Sequence, residues 1–218
     1  MSSLAETQNN LHIRLEGIGK KFGSEWIFKN LNLSLVPGDK IVILGGNGSG
    51  KSTLLQIISG YVLPNAGKVI FKNGETNQDP EKFKDNLSIA TPYLELVEDY
   101  NLTELINHCA VYKPFMHNLS AKEIIEITDL KHAENKYIKN YSSGMKQRVK
   151  LALAVLANCP LLLLDEPASN LDKNAILWYN NLIGKYASHK TIIVCSNSVK
   201  EEFSFCNKEL NVADHKKF

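Results

Sequence analysis

The residues with the clearest chemistry run from Gly45 to Thr53. They read Gly45-Gly46-Asn47-Gly48-Ser49-Gly50-Lys51-Ser52-Thr53 and fit the pattern G-x-x-x-x-G-K-[ST]. Glycines lack a Cβ, so successive backbone N–H groups can turn inward on a polyphosphate. A helix that starts here adds its positive end and its unpaired N–H groups. Lys51 supplies a point charge for β and γ phosphates, and the Ser52 hydroxyl is placed to ligate Mg²⁺. The plain alternative is a glycine-rich turn that happens to precede a helix. The flanks favour nucleotide binding: Lys40–Leu44 is a short apolar run of the kind buried in a parallel sheet, and Lys51–Ser59 reads as a helix.

A second site follows far along the chain. Leu161-Leu162-Leu163-Leu164 ends in Asp165-Glu166-Pro167, a buried strand that delivers two carboxylates at its C-terminal edge. Asp165 reads as the Mg²⁺-side acid and Glu166 as the general base that polarises the water attacking the γ-phosphate. The alternative, a core strand running out at a charged turn, loses weight once a phosphate loop lies upstream.

The elements that must position these groups follow from periodicity. Leu11–Leu15 and Trp26–Leu35 alternate as strands, Pro37-Gly38-Asp39 is a turn, and Val69–Phe71 and Leu87–Ala90 are further strands. The middle third holds helical patterns only, at Leu102–Ala110, Ala121–Leu130 and Met145–Ala157. Beyond the acidic strand come a helix over Asp172–Ala187, a strand over Thr191–Cys195 and a short helix over Val199–Cys206. This order predicts an α/β fold, a P-loop NTPase core with a mixed sheet and an inserted all-helical lobe. The expected core covers 11–92 and 158–218, the lobe about 93–157, and residues 1–10 form a polar, frayed tail.

With 218 residues, 44% hydrophobic and 22% charged, the chain is long enough for a sizeable core and too ordinary in composition for disorder. A net charge of +2 is too weak to argue for nucleic acid or an anionic membrane surface, and no nucleic-acid partner is expected. No apolar run approaches a bilayer's thickness, and the N-terminus lacks a signal-peptide pattern. Cys109, Cys159, Cys195 and Cys206 are scattered, which suits a reduced compartment without disulfides or a cysteine metal site.

Between the two nucleotide motifs lies Tyr141-Ser142-Ser143-Gly144-Met145-Lys146-Gln147-Arg148. Locally it is a serine-capped amphipathic helix with Met145, Val149, Leu153 and Leu156 at helical spacing. In its position it resembles the signature of the ABC ATPase family, commonly Leu-Ser-Gly-Gly-Gln, with Tyr141, Ser143 and Met145 as variants. Ser169-Asn170-Leu171-Asp172 resembles that family's D-loop, and the resemblance extends over nearly the whole chain. It implies a homodimer of nucleotide-binding domains that sandwiches two ATP molecules, with Ser142 and Gly144 of one subunit facing the phosphates held by the other. It also implies Phe22 as an aromatic stacked on adenine, the alternative being an ordinary core aromatic.

Two positions depart from the pattern. Tyr93 stands where the family usually has Gln, with Glu95 nearby, and Asn197 stands where it usually has His. Asn197 can still donate a hydrogen bond to a γ-phosphate but is never cationic, so the expectation is a slow but real ATPase, with Glu166, Lys51 and Asn197 as its catalytic residues. The expected partner is a separate integral membrane transporter subunit, which would place the chain in the cytoplasm, peripheral to the inner face of the membrane. Tyr100, Tyr112, Phe115 and Met116 would form the docking groove, unless they are the lobe's own core. The form of the signature resembles exporter-type subunits. A soluble, non-transport ABC ATPase and a small-molecule kinase are the competing readings.

Overall fold

The computed structural model describes residues 10–79 and 83–216. The tail expected over residues 1–10 lies outside them, Asn10 apart. Strand β1 (Leu11–Phe22) opens with Leu11, Ile13 and Leu15 buried and His12 and Arg14 exposed, the period of a sheet with one face on a core. It pairs antiparallel with β2 (Glu25–Leu35) and β4 (Ala66–Asn73). The alternation stops at Leu15 because the register shifts between Leu15 and Ile18 and again before Phe22, so the strand outruns its sequence signal. A two-residue strand, β5 (Thr76–Asn77), completes a sheet of order β2-β1-β4-β5.

The second sheet is wholly parallel. Its strands are β3 (Lys40–Leu44), β6 (Leu87–Ala90), β7 (Leu161–Asp165), β8 (Thr191–Ser196) and β9 (Lys208–Asn211), in the order β6-β7-β8-β3-β9. The expected mixture of strand directions is thus divided between two sheets. Leu161 and Leu163 of β7 pack with the antiparallel sheet and α1 (Lys51–Ile58), while Leu162 and Leu164 pack with the helices on the other side. All four leucines are fully buried. Each contributes roughly 1.5–3 kcal/mol relative to exposure, which holds the carboxylate-bearing strand firmly in place.

Between β6 and β7 the chain is helical, with α2 (Leu102–Tyr112), α3 (Ala121–Thr128) and α4 (Ser143–Leu156). Both α2 and α3 start with a capping box, Asn101 with Glu104 and Ser120 with Glu123, so their N-termini are set locally. After β7 comes α5 (Lys173–Tyr186), capped by Asp172. The Trp178 indole on α5 donates to the Ile127 carbonyl on α3 at 2.7 Å, tying the inserted helices to the core. At the far end of α4, fully buried Lys190 donates to the carbonyls of Val155 and Ala157 at 2.8 and 2.5 Å. It closes carbonyls that the helix end leaves without a partner, and burial lowers its pKa to about 8. Among the described residues no helix is long and apolar enough to cross a membrane.

One expected helix is corrected, one strand appears that the sequence did not announce, and the groove reading is divided. The helix expected over Val199–Cys206 is only a three-residue 3-10 turn, Lys200–Glu202. Ser198, at φ 76°, turns the chain into it and Phe203 leaves helical geometry. The edge strand β9 carries no apolar alternation; the backbone bonds of β3 recruit it. Phe115 and Met116 are core residues at 6% and 4% exposure, so of the expected groove only Tyr112 is open to solvent, with Tyr100 half-buried.

Candidate functional site

The parallel register brings three strand ends level. Leu44 of β3 pairs with Ser196 of β8, and Cys195 of β8 pairs with Asp165 of β7. The next residue on each chain is therefore Gly45, Asn197 or Glu166, all at the carboxyl edge where ligands bind in open α/β sheets. Because β8 lies between β3 and β7, Asn197 emerges between the phosphate loop and the acids.

The side chains use that placement. Lys51 begins α1 and is 5% exposed; its Nζ turns back to donate to the carbonyls of Gly45 and Gly46 at 2.7 and 3.1 Å. The same Nζ donates to Asn197 Oδ1 at 2.6 Å, and Asn197 Nδ2 donates to Glu166 Oε1 at 2.6 Å. A lysine can only donate and a carboxylate can only accept, so the carboxamide, with one end of each kind, fits between them in one orientation.

The loop itself is shaped by glycine. Gly50 is the N-cap of α1 at φ 103°, and a Cβ there would lie 2.5 Å from Ile27 Cγ2. A Cβ on Gly45 would lie 2.4 Å from Ser49 Oγ. Around Gly46 and Gly48 there is open space instead, and Asn47 is exposed. Ser49 Oγ is buried with no hydrogen-bond partner. The arrangement is a cradle of backbone N–H groups, a buried ammonium and a helix N-terminus, and it suits a polyphosphate. Thr53, half-buried, follows Ser52 in the first turn of α1.

Asp165 is 3% exposed, and its Oδ1 is the other buried side-chain atom without a partner among the described residues. Burial raises its pKa, opposed by a hydrogen bond from Ser52; Glu166 raises it further and Lys51 draws it down. An orphaned carboxylate oxygen beside a serine hydroxyl is the donor set a divalent cation completes with phosphate and water oxygens. The residues therefore fit Mg²⁺ held by Ser52 and Asp165. Glu166 is half-buried with φ 46°, a left-handed backbone anchored by its N–H to the Cys195 carbonyl at 2.9 Å. For a non-glycine residue such a conformation costs on the order of 1–3 kcal/mol and is found where the surroundings enforce it.

Other expected residues lie around this cluster rather than in it. Ser142 is the exposed N-cap of α4, its Oγ accepting from the Met145 N–H at 3.2 Å. A Cβ on Gly144 would lie 2.9 Å from the Asn170 carbonyl, so the helix tip rests on the segment after Glu166 with its serine facing solvent. Phe22 is 58% exposed with the Lys20 ammonium 5.3 Å from its ring, a surface ring rather than a core aromatic. Tyr93 is 81% exposed in the loop after β6, and Glu95 is exposed beside it. Gln147 was absent from the expected site residues. It is buried on α4 and donates to the Pro167 carbonyl at 3.0 Å, binding the helix to the residue after Glu166. An amide on a helix face that is otherwise apolar is the signal that marks it.

Comparison with known proteins bears on this geometry directly. The chain matches the family described as ABC transporter over residues 28–169, from β2 through the phosphate loop and the inserted helices to the residues after Glu166. It belongs to the ABC transporter family. Among its relatives is an uncharacterized ABC transporter ATP-binding protein of Bacillus subtilis (strain 168), 29% identical over 198 residues, covering 90% of this chain and 64% of that one. The Fe(3+) ions import ATP-binding protein of Photorhabdus laumondii is 35% identical over 77% of this chain and 48% of its own length. The cytochrome c biogenesis ATP-binding export protein of Reclinomonas americana is 33% identical over 78% and 77%. The chain spans about half to two thirds of the length of the first two.

A bacterial ABC transporter cassette solved as a dimer superposes with a TM-score of 0.76 at 25% identity, covering 91% of this chain and 93% of that one. A dimeric post-hydrolysis cassette bound to ADP and Pi shares the fold at TM-score 0.77, with 24% identity and the same coverage. The chain thus has the P-loop NTPase fold of an ABC ATP-binding cassette. Importers and exporters both stand among its ABC relatives, so the exporter-like form of its signature does not set a direction.

Proposed function

We propose that this chain is the ATP-binding and ATP-hydrolysing subunit of an ABC transporter, working as a dimer and energising a separate membrane-spanning partner. The observation that carries the reading is the bonded chain Lys51–Asn197–Glu166 at three level strand ends, beside an orphaned Asp165 oxygen. An incoming triphosphate offers Lys51 better acceptors than the Gly45 and Gly46 carbonyls and Asn197. Once Lys51 turns to it, Asn197 is released on that side and can donate toward the γ-phosphate. Glu166 then accepts a proton from the attacking water. Mg²⁺, held by Ser52 and Asp165, would supply neutralisation of charge on the phosphate oxygens. Phe22, exposed at the end of β1, is assigned as the adenine platform, and Ser142 with Gly144 as the site offered to the nucleotide of a second subunit.

In this reading the core (11–92 and 158–218) binds nucleotide and the lobe (about 93–157) meets the membrane partner, which would hold the chain at the cytoplasmic face. The experiment is affinity purification from gently solubilised membranes, with ATPase activity measured on the eluate. A stoichiometric integral membrane protein, together with activity lost in Glu166→Gln, is the expected result. Activity with the chain alone in both soluble and membrane fractions would favour a non-transport ABC ATPase.

A further inference from the structure

Behind Asn197 and Glu166 lies a third carboxylate with no part in the steps above. Glu202, at the end of the turn Lys200–Glu202, is 3% exposed. A buried carboxylate is costly unless its oxygens are bonded, and here both are. Oε2 accepts from the Ser196 hydroxyl, and Oε1 accepts from the Ala168 N–H at 3.1 Å. Ser196 is the last residue of β8 and adjoins Asn197; Ala168 lies just beyond Glu166 and Pro167.

Each side of this clamp is itself fixed. The Glu202 carbonyl accepts from the hydroxyl of Tyr179, fully buried on α5, at 2.9 Å. Ser196 Oγ also accepts from the Val199 N–H at 3.2 Å. The two loops so joined contain left-handed non-glycine residues, Glu166 at φ 46° and Ser198 at φ 76°. Such conformations persist only where the surroundings over-determine them. Neither bond of the carboxylate is to the phosphate loop.

We propose that Glu202 is a positioning residue for hydrolysis: its carboxylate yokes the end of β8 to the segment after Glu166 and so sets the spacing of Asn197 and Glu166. The proposal rests on the ATPase reading above. A glutamine can keep the yoke only by reversing one of its bonds, which leaves the Ser196 hydroxyl hydrogen without its present acceptor. Its oxygen can accept from Ala168, but its NH₂ then meets a hydroxyl that also needs to donate. Loosening by a fraction of an ångström falls on the alignment of base, water and phosphate, not on the grip of Lys51 on nucleotide.

The test compares the full chain with Glu202→Gln, Ser196→Ala and the double variant. Hydrogen exchange is read over 166–170 and 196–203 without nucleotide, and steady-state MgATP hydrolysis is read for kcat and KM. The expected result for Glu202→Gln is faster exchange in both segments, kcat down about 10–100-fold and KM within about twofold. The double variant should be no worse than Glu202→Gln, as for residues acting as one unit. Unchanged exchange, a wild-type kcat, or a loss carried by KM overturns the proposal. Should Glu202→Gln fail to fold, Ser196→Ala, which removes the donor to Glu202 together with the acceptor of the Val199 N–H, must show the same kcat-selective loss. A wild-type chain without ATPase activity, with exchange still raised in Glu202→Gln, strikes the ATPase reading and leaves the yoke standing.

Discussion

Removing the Asn197 carboxamide should lower turnover far more than it lowers stability or nucleotide affinity. In Asn197→Ala both short bonds are lost, the one from Lys51 and the one to Glu166. Hydrogen bonds to charged groups contribute about 1.5–3 kcal/mol when buried, but Asn197 is exposed. Water can replace it, and Lys51 keeps two carbonyl acceptors. The ground-state cost is therefore about 1 kcal/mol or less. In the transition state the missing donor faces developing charge, where one such donor contributes on the order of 10²–10³ in kcat, or about 2.7–4 kcal/mol. Phosphate release over a range of MgATP concentrations should show kcat down about 10²-fold, with KM within about threefold and an almost unmoved Tm. Asn197→His, which restores a donor, should recover part of the rate. A kcat close to wild type would show that this position is idle. A loss residing in KM would make Asn197 a binding residue and refute the differential argument.

Lys51→Ala removes the buried ammonium bonded to the Gly45 and Gly46 carbonyls, and a fluorescent ATP analogue should bind at least about tenfold more weakly; unchanged affinity would mean the cradle binds without this charge. Glu166→Gln should keep nucleotide affinity, lose turnover by about 10²–10⁴-fold, and accumulate an ATP-bound dimer in size-exclusion chromatography; a monomer at saturating MgATP would argue against the sandwich. Lys190 gives a pH prediction. Its folded pKa of about 8 lies below the ordinary 10.5, so between these values the unfolded chain binds more protons and stability rises with pH. Relative to Lys190→Met, wild type should gain on the order of 3 kcal/mol from pH 7 to pH 10.5 in urea unfolding, and a flat difference would show that Lys190 does not titrate there.

The phosphate loop and the acid strand were legible because both depend on local pattern. A glycine-rich run between a strand and a helix, and four leucines ending in two acids, mark their elements within a few residues. The bounds of β3 follow from an apolar run, Ile41–Leu44, preceded by a turn, whereas β6 is apolar but for Ser88. The connection of Asn197 to both Lys51 and Glu166 was not legible, since it arises from β8 lying between β3 and β7, and strand order is not written in any one segment. For the same reason the polar strand β9 and the buried Glu202 went unseen. Charged residues in Lys200-Glu201-Glu202 look like solvated surface until Ser196 and Ala168 close on one of them. Phe115 and Met116 show the converse. Aromatic and thioether side chains at a loop are equally apt for a groove or a core, and packing against the inserted helices decides for the core.

The bond from the Trp178 indole to Ile127 has a mechanical meaning. It straps a helix of the insertion to α5, and α5 is capped by Asp172, a short step along the chain from Glu166. In the proposed transporter, a push on the outer lobe would pass through this bond into α5, which would act as a connecting rod. In the function proposed above, strain applied at the rim would thus reach Glu166, the proposed base, and chemistry there would return the stroke by the same route.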